Sequence, residues 1–223
     1  MKAAPTDSLL ASLLLLLTVV TGFVDAVSYL RLEHVFVANM TGNIVFLGFA
    51  AAGAGQLSVS ASLGAIAAFL AGSFSGGRLG VRLRHNTRRL LAAATFAECI
   101  LVGAAALIAH AAGPIEGGVM YALILPLGLA MGLQNAVARE IALPDLMTTV
   151  LTVTLTSIAA DLPLRSANFA RFRRRLAAVT AMLAGAVTGG ALVLQQGVTP
   201  ALTGAAVLLA GIAVAAAGRV RPL

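Results

Sequence analysis

The sequence predicts an all-α polytopic membrane protein with six transmembrane helices and two short re-entrant or broken helical segments, arranged as two inverted three-span repeats. Three observations predict it. Of 223 residues, 60% are hydrophobic and only 10% charged, against roughly 45–50% and 25% in soluble domains. Six apolar runs, at 9–30, 58–81, 90–112, 118–138, 176–196 and 200–218, are long enough as helices to cross about 30 Å of hydrocarbon. Motifs of the first half also recur, in order, in the second.

The same composition excludes other classes. A transmembrane β-barrel shows alternating segments of about ten residues, whereas Leu13 to Val20 and Leu101 to Ala109 are apolar on every side. The single cysteine, Cys99, lies within an apolar run, so neither an intrachain disulfide nor a thiol pair for zinc or redox chemistry is expected. A net charge of +7 suggests nucleic acid in a soluble domain, but here the basic residues flank apolar runs and aromatics are 5%. Topology accounts for them, and no nucleic-acid partner is expected.

In the first run, 9–30, Lys2, the leucines and Val24-Asp25-Ala26 imitate the charged, apolar and cleavage regions of a secretory signal. The internal repeat includes these residues and assigns them to the mature fold. Gly22 to Val27 (GFVDAV) matches Gly132 to Val137 (GLQNAV), placing Asp25 opposite Asn135. Met40 to Asn43 (MTGN) faces Leu151 to Thr154 (LTVT), and Ala68 to Leu79 faces Ala181 to Leu192 with seven identities in twelve. The chain is read as repeats 1–112 and 113–223.

Between the long runs, segments 35–55 and 143–161 are apolar but short and carry Asn, Thr and Gly. The basic residues decide whether they cross. If both cross, eight of the 15 Lys and Arg are cytoplasmic and seven are outside. If both dip in and return, 14 of the 15 are cytoplasmic and only Arg31 is outside. The positive-inside rule selects the second arrangement, with both termini cytoplasmic. Each half then has three spans, an odd number, so the second half is inverted relative to the first.

Irregular chain at membrane depth must be enclosed by protein or line a watery cavity. Val35 to Asn39 is read as an extended descent and Thr41 to about Ala54 as a half-helix climbing out, capped by Asn39, Thr41 or Asn43. Its N-terminus would aim free N–H groups and a partial positive charge inward. Leu146 to Thr149 would enter from the other side, with Thr152 and Thr154 at the matching position. Transporters hold solutes and ions at paired broken helices of this kind. The plainer alternative is that hydroxyls bond back to their own helix and Asn only caps; it is preferred for Thr148, Thr149 and Thr156.

Asp25 is a carboxylate within a span, a common mark of ion or proton paths. Counted from Leu9 it lies about 24 Å along the span, near the outer interface, where water or Arg31 would satisfy it. Glu98, beside Cys99 with no basic residue within a turn, is either hydrogen-bonded as the acid or faces a cavity, where it would serve a proton relay. Gly72, Gly76 and Gly80, with Gly185 and Gly189 in the other half, form faces on which helices approach closely. Packing between halves is the simpler account and a homodimer seam the alternative. His34, His85 and His110 fall at span ends without ligand spacing, and neither a metal nor a cofactor is expected.

The motifs GFVDAVSYL (Gly22 to Leu30), VANMTGN (Val37 to Asn43), GLQNAV and PDLMTTVLTVTLT (Pro144 to Thr156) resemble the YoaK-like family of bacterial inner-membrane proteins. Similar proteins usually carry Gly between the threonines of the second half, where this chain has Val153. The resemblance covers nearly the whole chain and implies the membrane class without a reaction or ligand. Motifs for intramembrane catalysis are missing from the sequence: no H-E-x-x-H, no G-x-S-x-G and no Asp pair for magnesium. The expected function is a small secondary transporter or channel-like permease for an unknown solute or ion, with a site at the two half-helix ends. An anion or carbonyl-bearing solute would suit a helix N-terminus. A non-transporting membrane assembly protein is the alternative.

Overall fold

The computed structural model describes residues 5–55, 57–141, 151–160 and 169–218. Every regular element among them is helical: α1 (Pro5–Arg31), α2 (Met40–Ala51), α3 (Val59–Leu83), α4 (Thr87–Ala112), α5 (Gly118–Ile141), α6 (Leu151–Ala160), α7 (Phe169–Gln196) and α8 (Val198–Ala217). All but α2 and α6 are long and apolar enough to cross a membrane. At about 1.5 Å per residue the 12 residues of α2 reach about 18 Å, short of a crossing, and the 10 described residues of α6 about 15 Å. Leu146 to Thr149, with Thr148 and Thr149, lie outside the described residues.

Capping sets several boundaries. Asn86 Oδ1 accepts from the Arg89 backbone N–H at 3.0 Å, so α4 begins at Thr87 rather than at 90. Ser58 Oγ caps α3 through Ala61 N–H at 3.2 Å. α7 starts at Phe169 rather than at 176 because the arginine-rich stretch continues the helix beyond its apolar part. There Arg175 donates to the Ser157 carbonyl of α6 at 3.2 Å.

The outer surface is apolar. Leu63, Leu70, Phe74 and Val81 point outward from α3, and Leu176, Leu183, Val187 and Leu194 from α7. Each member of the second set follows its counterpart by 113 positions. Large exposed Leu, Val and Phe in such number suit lipid rather than water.

The packing between helices fixes their directions. A Cβ on Gly72 of α3 would strike the Leu129 carbonyl of α5, and one on Gly76 would lie 2.8 Å from the Leu133 carbonyl. Gly80 packs against Glu140. Advancing together, these contacts make α3 and α5 parallel. Likewise Gly185 of α7 meets Val19 of α1, Gly189 meets Phe23, and Arg31 donates to the Val193 carbonyl at 3.4 Å; α1 and α7 are parallel. By contrast α4 and α8 are antiparallel. Ala92 and Phe96 share a groove with Ala213 and Ala217, Cys99 Sγ donates to the Ala206 carbonyl at 3.4 Å, and Leu107 and His110 border Thr199 and Thr203.

These pairings keep their form when α1 to α4 are exchanged for α5 to α8. The α3/α5 pair becomes α7/α1, α4/α5 becomes α8/α1, α2/α3 becomes α6/α7, and α4/α8 maps onto itself. The core lies along these crossings, with Leu14, Leu91, Leu123, Leu127, Met131, Leu202 and Leu209 fully buried.

Candidate functional site

The site is built by the chain reversal after α1. Glu33 and His34 adopt φ of 53° and 58°, a left-handed conformation costing about 1–2 kcal/mol per residue without glycine. Two side chains hold the extended stretch beyond them. Asp25 Oδ1 accepts from the backbone N–H groups of Val37 at 3.2 Å and Ala38 at 3.0 Å. Asn43 is fully buried and brackets Phe36, accepting from its N–H at 2.9 Å and donating to its carbonyl at 2.6 Å. Residues 35–39 therefore run back along the last turns of α1. Tyr29 stacks on Phe36 with ring centroids 4.9 Å apart, and Phe36 stacks on Phe46 of α2.

α2 then starts with Asn39 as its N-cap, the side chain accepting from Gly42 N–H at 3.4 Å. The helix begins at Met40, one residue before the expected Thr41. Beside it is a cavity of about 380 Å³ that brings together Asp25 and Tyr29 of α1, Phe36 and Asn39 of the reversal, Thr152 of α6, and Met182 of α7. Residues from the start of α2 and from α6 thus meet in one space.

The expected site residues separate accordingly. Asp25, Asn39 and Thr152 line the cavity, and Thr41, Asn43, Asn135 and Thr154 do not. The reading of Asn43 as a solute ligand is corrected, because its amide is taken up by Phe36 and, at 3.7 Å, by Met40 Sδ. Thr41 is exposed away from the cavity, and Asn135 bonds back to the Met131 carbonyl at 2.9 Å. Thr156 bonds back to the Thr152 carbonyl at 2.9 Å, as the plainer alternative expects. The placement of Asp25 at a watery interface is corrected too: it is buried, its partners are the Val37 and Ala38 N–H groups, and Arg31 serves Val193 instead.

Two polar side chains stand apart. Glu98 of α4 is fully buried, and neither carboxyl oxygen has a hydrogen-bond partner among the described residues. Gln134 of α5 donates to Thr21 Oγ1 at 2.7 Å, bridging the halves at the cavity wall, while its Oε1 is unpartnered among the described residues. Sequence reasoning missed Gln134 and Tyr29. Their signals were a Gln beside Asn135 within a span, and an aromatic ring one turn beyond Asp25. Gly72, Gly76 and Gly80 sit on α5, and Gly185 and Gly189 on α1, at crossings between the halves. Among the described residues no group of three or more His, Cys, Asp or Glu is placed to hold a metal ion.

The family model described as "Protein of unknown function (DUF1275)" matches residues 13–215. The chain belongs to this family. A relative of this DUF1275 protein is the UPF0700 transmembrane protein YoaK of Bacillus subtilis (strain 168), 36% identical over 157 residues. That alignment takes in 68% of this chain and 66% of the relative's length. No solved structure matches the chain. Family, relative and six long apolar helices agree that this DUF1275 member is a multi-pass membrane protein.

Proposed function

We propose that the chain is a small secondary transporter or channel-like permease of a bacterial inner membrane, with its solute site in the cavity beside Asp25. The observation that carries this reading is the convergence of Asn39, at the start of the short helix α2, and Thr152 of α6 on one half-open cavity against α1 and α7. Binding sites of secondary transporters form in this way, at broken helices between inverted repeats.

In this reading the halves are inverted repeats. Their support is the antiparallel course of the counterpart helices α4 and α8, beside the parallel pairs α1/α7 and α3/α5. With short connections making α3/α4, α4/α5 and α7/α8 hairpins, α1 and α5 then run in opposite directions, and segments 35–55 and 143–161 each return the chain to the side it came from. Both termini fall on the arginine-rich side, the cytoplasm. Transport rocks one repeat against the other across the glycine crossings. We assign Glu98 to a proton relay because it is a buried carboxyl without a partner among the described residues, costly unless used. The missing catalytic motifs speak against an enzyme.

The test is uptake by the protein reconstituted in liposomes, screened against metabolite pools. Saturable uptake that Asn39→Ala reduces at least tenfold, with membrane insertion unchanged, is the expected result. A protein that moves no solute in any pool would be an assembly or partner protein instead.

A further inference from the structure

The cavity takes its chemical character from Asp25. Asp25 is more than nine-tenths buried, and its Oδ1 is used by Val37 and Ala38. Its Oδ2 accepts no hydrogen bond from any described residue. No Lys, Arg or His is among the described residues lining the cavity, so none of these neutralises an acidic group. At the N-terminus of α2 the Gly42 and Asn43 N–H groups are taken by the side chain and carbonyl of Asn39, which leaves those of Met40 and Thr41 as its first-turn donors. An acidic group with no described cation beside it favours a cationic solute over the anion or carbonyl-bearing solute that a helix N-terminus alone would suit.

Around this acid the walls are aromatic and aliphatic, from Tyr29, Phe36, Leu30 and Met182, with Thr21, Asn39 and Thr152 as the polar exceptions. A cavity of about 380 Å³ is of ligand-pocket size. It is far larger than a bare metal ion needs, and it offers few oxygen ligands. A carboxylate beside an aromatic face is the environment that holds an organic ammonium, through charge and cation–π attraction together. We propose that the cavity binds a small organic monocation, with its ammonium head at Asp25 Oδ2 and Tyr29 and its apolar body against Leu30 and Met182. This rests on reading the cavity as the solute site.

Asp25→Asn is the informative variant, because Asn keeps an Oδ1 acceptor for Val37 and Ala38 while losing the charge. The purified protein is titrated with butylammonium, tetramethylammonium, sodium, butyrate and butanol, following its melting temperature. An organic cation is expected to raise it saturably, with sodium, butyrate and butanol inert. Asp25→Asn is expected to melt like the parent without ligand and to bind the cation at least tenfold more weakly. Butyrate or butanol acting as well as butylammonium, sodium matching it, no response to either ammonium ion, or an unchanged affinity in Asp25→Asn would each overturn the proposal. Liposome uptake separates the two readings. A cation that binds but is not moved leaves the ligand class standing and removes the permease; saturable uptake of an anion or neutral solute does the reverse.

Discussion

Asp25 and Asn43 do at residue scale what a strand partner would do in a sheet: they pair the backbone of a short extended segment that has no neighbouring strand. Buried backbone groups left unpaired cost about 1–3 kcal/mol each. Asn43→Ala, which strands the N–H and carbonyl of Phe36, is therefore expected to destabilise the protein by about 2–4 kcal/mol, read as a lowered unfolding midpoint in mild detergent. Asn43→Asp keeps the acceptor for the N–H but buries a carboxylate oxygen against the Phe36 carbonyl, so at least as large a loss is expected at neutral pH. Glu98 should behave oppositely. Its two carboxyl oxygens are unpartnered among the described residues, and Met is close to Glu in volume. Glu98→Met is expected to raise stability by about 1–3 kcal/mol while removing the response of uptake to a proton gradient; a fall in the melting temperature would show that the carboxyl has a structural partner.

At the scale of elements, the parallel pairs α3/α5 and α1/α7 depend on glycine at the crossing. Within a bilayer there is little hydrophobic drive between helices, so close backbone approach and van der Waals packing must hold them. A side chain at Gly72 or Gly185 would run into the carbonyl of Leu129 or Val19, and backbone cannot swing aside. Gly72→Val and Gly185→Val are expected to cost about 3 kcal/mol or more, measured by thermal unfolding in detergent. Gly77, one residue beyond Gly76, has nothing within 4 Å of the position its Cβ would take. Gly77→Ala is expected to be neutral or stabilising by up to about 1 kcal/mol, because alanine favours helix. A sequence stripe of small residues cannot by itself say which glycine is at the crossing; the neighbouring helix does.

For the whole molecule the decisive quantity is the number of crossings. In the proposed topology the α3/α4 connection and the start of α7 share the cytoplasmic side, and the α4/α5 and α7/α8 connections face outward. In a Cys99→Ala background, His85→Cys and Arg173→Cys are expected to react with an impermeant maleimide only in inside-out vesicles, and Ile115→Cys only in right-side-out vesicles. Labelling of His85→Cys and Arg173→Cys from opposite sides would mean that one short segment crosses, and the inverted arrangement would fail.

Class and the six long helices were legible in the linear chain, because bilayer thickness sets helix length. Asn39 and Asp25 could be nominated for a similar reason: polar groups in apolar runs are costly and therefore conspicuous. The tertiary structure alone decided that Asn43 is spent on Phe36, that Asp25 is walled in by the returning chain, and that Thr152 reaches the same cavity from residues more than a hundred positions away. Hydrogen-bond partners across a chain reversal carry no periodicity for a sequence to display, and which polar atom is left over is known only once the others have been paired.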